Sequence, residues 1–113
     1  MPERPFDYNF AERVHCRIGG HALITTKEIK QIDTGYFEVL QANAYAVYLR
    51  SKNTKHFWGI VVEEFPSFRH FQLFHKHNSS DQYHRHKDRP TLKAAIEEIK
   101  SHDRYQLNGR RYV

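Results

Sequence analysis

The chain predicts a single α+β domain spanning residues 1 to 113. An antiparallel β-meander of three to five strands is backed by a C-terminal amphipathic helix, with one short helix nearer the N-terminus. Three observations carry this expectation. A length of 113 residues suits one core, burying about two thirds of the surface that the unfolded chain exposes. Residues 36 to 77 are dense in aromatic and β-branched side chains interrupted by turn formers, the composition of consecutive strands. The stretch "DRPTLKAAIEEIKSHD" sets Leu92, Ala95, Ile96 and Ile99 on one side of a helix, leaving the opposite side polar.

Taken in order, the chain opens with Phe6, Tyr8 and Phe10 alternating with polar residues, as in an extended arm laid on a surface. "RVHCRI" is a short strand candidate, broken by Gly19-Gly20. A helix near 26 to 33 follows, for which Thr25 and Glu28 have the spacing of a capping box and Ile24 and Ile29 that of a hydrophobic staple. Gly35 reads as its stop. "YFEVLQANAYAVYLRS" and "KHFWGIVVEE" form a hairpin about the turn "SKNT", and "FRHFQLFHKH" adds a third strand after Phe65-Pro66-Ser67. Pro90 is tolerated in the first turn of the helix near 90 to 102. In the tail, Asn108-Gly109 marks a turn that could precede a last strand.

Charge is unevenly placed. The net +5 arises wholly after residue 65, where ten Lys and Arg face five Asp and Glu; residues 1 to 65 hold eight of each. Six of the nine histidines lie there too, and imidazoles gain positive charge as pH falls toward 6. Antiparallel partners keep a constant sum of residue numbers. Placing Ser51 opposite Thr54 or Lys55, and Glu64 opposite Phe68, brings His75, Lys76 and His77 beside Lys55, His56 and Phe57. The predicted contact surface therefore gathers Arg50, Lys52, Lys55, His56, His75, Lys76, His77, Tyr83, His84, Arg85, His86, Lys87 and Arg89 at one end of the sheet and its following loop. Cations beside aromatic faces (Tyr48, Trp58, Phe74, Tyr83) suit phosphates and bases. The expected function is non-enzymatic binding of DNA or RNA. The alternative is a regulator or inhibitor, of the type encoded by phages or mobile elements, docking on an acidic protein surface.

Other chemistries fit less well. His75-x-His77 and His84-x-His86 have a strand spacing that zinc could use, but Lys76 and Arg85 stand between them, so no metal or cofactor is expected. A His-based nuclease is the third reading. Nicking enzymes place an apolar residue between two strand histidines and a tyrosine on a helix, whereas Lys76 takes the middle position here and no tyrosine falls within residues 90 to 102. Asp33-Thr34-Gly35 matches the triplet of retroviral-type aspartic proteases without the apolar strand before it, and reads as a helix stop. No catalytic residue is assigned. The lone Cys16 precludes an internal disulfide, no apolar run approaches the roughly 20 residues of a membrane span, and "MPERPFDYNF" lacks a secretory core. A cytoplasmic setting is expected, so "NSS" at 78 to 80 is discounted as a glycosylation acceptor.

Overall fold

A computed structural model describes residues 23 to 64 and 68 to 109. The expected N-terminal arm and the "RVHCRI" strand lie outside these residues. Helix α1 (Thr26–Lys30) is followed by strands β1 (Phe37–Ala42), β2 (Ala46–Ser51), β3 (Phe57–Glu64), β4 (Arg69–Lys76) and β5 (His84–Arg89), and by helix α2 (Leu92–Leu107). The strands form one antiparallel sheet in sequence order, a complete meander.

Helix α1 starts at the expected capping box. Thr25 Oγ1 accepts from the Glu28 N–H, and Glu28 Oε1 accepts from the Thr25 N–H. Five residues of helix cannot stand alone. Arg69 ties this turn to the sheet by pairing with Glu28 at 2.6 Å and donating to the Leu23 carbonyl. The helix stops at the cap Gln31, short of the expected 33. Gly35 belongs to the next turn, where its N–H and that of Tyr36 donate to Asp33 Oδ1.

Residues 36 to 51 form two strands where one was expected. Asn43 Oδ1 accepts from the Tyr45 and Ala46 N–H groups and turns the chain, the Asx-type bond that lets asparagine imitate a backbone turn. Half of the segment 78 to 89, expected as a loop, is likewise a strand. β5 pairs with β4 through Phe71↔Arg89 and His75↔His84. Its sequence, "HRHKDR", carries no β-branched or aromatic signal; it is a charged edge strand of the kind that resists further pairing.

Helix α2 packs on the face formed by Phe37, Val47, Leu49, Trp58, Ile60, Val62, Phe71 and Leu73, contributing Leu92, Ala95 and Ile99 to the core. Thr91 is its N-cap and Pro90 precedes the cap, outside the first turn. The helix continues to Leu107, through the segment where the tail was expected to leave it. Gly109 closes the end at φ 67°, with its N–H bonded to the Gln106 carbonyl, a left-handed conformation that costs glycine little. Residues 110 to 113 lie outside the described part. Among the described residues, no helix is long and apolar enough to cross a membrane.

Candidate functional site

The β3–β4 register decides what the histidines do. The pairs are Phe57↔Lys76 and Trp58↔His75, one position from the register the sequence suggested. In a sheet one position exchanges faces, so His75 joins Trp58 beneath helix α2 and Lys76 joins Phe57 on the other face. His75 is 2% exposed. Its ring stacks on Trp58 at 4.1 Å and meets His102 at 4.7 Å, His77 at 5.0 Å, His56 at 5.1 Å and His84 at 5.3 Å. His75 Nε2 and His56 Nδ1 share a hydrogen bond of 3.1 Å.

The imidazoles arrive from several elements. His56 leads into β3, behind Lys55, whose φ of 65° gives the β2–β3 turn a left-handed step. His84 and His86 come from the edge strand β5, and His102 from the C-terminal half of α2. Helix α2 begins just after β5 ends, beside Phe71. It then runs back along the sheet, so its later turns cover His75. His102 was absent from the predicted site. Its signal lay in spacing, because 92, 95, 99 and 102 continue the core-facing stripe at helical period.

Burial and neighbouring imidazoles set the protonation of this cluster. Desolvation, followed by the charges that His102, His56, His77 and His84 would carry, pushes the His75 pKa far below its usual value and keeps it neutral. Desolvation also lowers His102; His86 acts in the same direction and Asp103 opposes it. Asp103 is itself fully buried. Its carboxylate accepts from the Tyr36 hydroxyl at 2.6 Å and the Thr54 hydroxyl at 3.0 Å, and burial with this bond raises the Tyr36 pKa strongly. His86 Nε2 lies 3.0 Å from Glu98 Oε2. Burial would raise the Glu98 pKa, but His86, Lys87 and Arg89 outweigh it and lower the value.

The other predicted contact residues divide sharply. Lys76 is 6% exposed; its ammonium sits over the Phe57 and Tyr83 rings and donates to the Ser79 carbonyl. Arg85 is clamped by both oxygens of Asp88, Arg50 pairs with Glu38 while lying over Phe57, and Lys87 and Arg89 approach Glu98. Lys52 reaches the Thr34 carbonyl. Lys52, Lys55, His77, His84, Arg85 and Lys87 are exposed, Arg50, His56, Tyr83, His86 and Arg89 are half-buried, and His75 and Lys76 are interior. Trp58 is fully buried and offers no face to a base. Tyr105 lies within α2, its ring 6.3 Å from that of His102, so the helix does carry a tyrosine; Lys76 still stands between the strand histidines. Compared with protein-family models, curated proteins and solved structures, the chain matches none.

Proposed function

We propose that this protein binds a polyanion, most simply the phosphate backbone of a nucleic acid, through the outer rim of the histidine end. The observation that carries the reading is the meeting of two exposed basic segments. Lys52 and Lys55 in the β2–β3 turn stand beside His77 and His84 at the β4–β5 connection, joined through the stacked rings of His56 and His77 at 4.2 Å. Because Arg85 and Lys87 already have carboxylate partners, the contact falls mainly on Lys52, Lys55, His77 and His84. Surface cations bind phosphate by releasing counterions, which makes affinity depend on salt.

Fluorescence anisotropy with 20-nucleotide single- and double-stranded DNA and RNA, across a salt series, tests this. With about three phosphates neutralised, log affinity falls with log salt at a slope of roughly −2 to −3. The double variant Lys52→Ala/Lys55→Ala flattens the slope by about 2. No binding at low salt, or an unchanged slope in the variant, defeats the proposal.

A second reading, docking on another protein, is favoured by a different place. Among the described residues β1 is an edge strand, and Val39 and Leu40 are exposed on it, Leu40 at 44%, next to the register shift between Val39 and Gln41. An acidic protein retained on the purified chain after nuclease treatment, and released by Leu40→Lys, selects this reading over the first.

A further inference from the structure

We propose that His56, His75 and His102 form a site for one divalent transition-metal ion of the zinc class, lying between the sheet and helix α2. One ring nitrogen from each comes within 4.8 Å of the other two. A tetrahedral ion bound at 2.0–2.1 Å holds its nitrogen ligands roughly 3.3 Å apart. The His56–His75 pair stands at 3.1 Å already, so small rotations of His102 about its side-chain bonds close the set. Three ligands from three elements, separated in sequence by 19 and 27 residues, are fixed by the tertiary fold rather than by a local loop.

A second observation points the same way. Among the described residues, His102 Nδ1 is buried without a hydrogen-bond partner, as is Nε1 of Trp58, whose ring packs edge-on to His102 at 5.3 Å. Buried polar nitrogens are nearly always paired, and one that is not calls for an explanation. An ion accepting the imidazole lone pair supplies one for His102. The donor set also selects the ion. Three imidazoles, with no thiolate among the described residues and with the nearby Asp103 already engaged by two hydroxyls, suit zinc, copper or nickel and not calcium or magnesium.

The sequence argued against metal because cations alternate with the histidines in "HKH" and "HRH". Strand geometry removes that objection. Lys76 and Arg85 point to the opposite face, over Tyr83 and onto Asp88, with the sheet between them and the cluster. On the histidine side stand the Asp103 carboxylate, next to His102 in the chain, and Glu98, which steadies His86 and also meets Lys87 and Arg89; His86 packs edge-on to His102 at 5.1 Å. Three protein ligands leave a fourth position to solvent, as in zinc sites that keep an open coordination place.

The test uses the full chain, stripped with chelator and dialysed, and titrated with zinc chloride against a chromophoric competitor. Cobalt(II) on the same protein reports geometry by its visible absorption. The expected result is one zinc per chain, a cobalt spectrum with the intensity of a tetrahedral site, and a rise of several degrees in Tm on zinc addition. His102→Ala should weaken zinc binding on the order of 100-fold or more, beyond what loss of a supporting residue costs. His70→Gln, altering a histidine paired with Glu63 at the far end of β4, should leave it within threefold. If His102→Ala fails to fold, His56→Gln takes its place. Folded protein that takes up no stoichiometric zinc overturns the proposal. So does zinc whose affinity is the same in the His102 and His56 variants, because the ion would then sit on the exposed histidines.

Discussion

Two faces of the same strand end behave as different materials. On the helix side of β4, His75 lies against Trp58 among imidazoles, neutral and almost dry. On the other side, one residue along, Lys76 keeps its ammonium over two aromatic rings and bonds to the Ser79 carbonyl. The primary sequence presents these groups as one basic tract. A pleated strand sorts them, since neighbours point to opposite faces, and the sorting turns a run that looks hostile to a metal ion into a cluster of imidazole nitrogens with Lys76 and Arg85 across the sheet. What recurs at period two is therefore more informative here than local charge density.

The largest way to break this comparison is to remove the ring on which the dry face rests. Trp58→Ala deletes a fully buried indole and should cost about 3–5 kcal/mol, measured by urea unfolding. The same change should loosen His75 and weaken zinc uptake. A loss below about 1 kcal/mol would show that the face is not packed as described.

An intermediate effect comes from pH. In metal-free protein kept in chelator, the folded pKa of His75 is depressed while the unfolded value stays near 6.5. Between those values the unfolded state binds the extra proton. Stability is therefore complete above pH 6.5 and falls as pH drops below it, by about 1.4 kcal/mol per pH unit. From pH 7 to 5 the expected loss is about 2 kcal/mol, ahead of the carboxylate range, and His75→Gln should flatten the curve. His102, lowered by burial as well, faces the same ring, so a steeper fall is consistent and a flat profile is not.

The smallest effect sharpens the comparison from its other side. Lys76→Met keeps the stem and removes the charge, giving up a cation–π contact and one hydrogen bond while relieving a buried ammonium. Stability should stay within about 1.5 kcal/mol of wild type, and zinc affinity within threefold. A large rise in zinc affinity would mean that Lys76 repels the ion after all, and that the sheet does not separate the two faces.

Much of the architecture was legible because its signals are local. The Thr25–Glu28 capping box, the apolar stripe of α2 and the aromatic strands each state their element within a few residues. Two things were harder to read. Asn43 hides a turn inside an uninterrupted strand pattern, and β5 has no strand composition because an exposed edge profits from charge. The site was legible only in part. His56 and His75 were placed together, but at a register one position out, which set His75 opposite Phe57 instead of Trp58. His102 stood 27 residues further along on a helix, and only the path of α2 back across the sheet brings it to the others.

The central claim is that the strand's alternation brings His75 to His56 and His102 between the sheet and α2 and turns Lys76 and Arg85 away from them. Crystals of the protein grown with equimolar zinc and measured on both sides of the zinc absorption edge test it most directly. A single anomalous peak about 2 Å from ring nitrogens of His56, His75 and His102, with Lys76 and Arg85 across the sheet from it, is the expected result. Peaks confined to the exposed His77 and His84, or none at all, would contradict it.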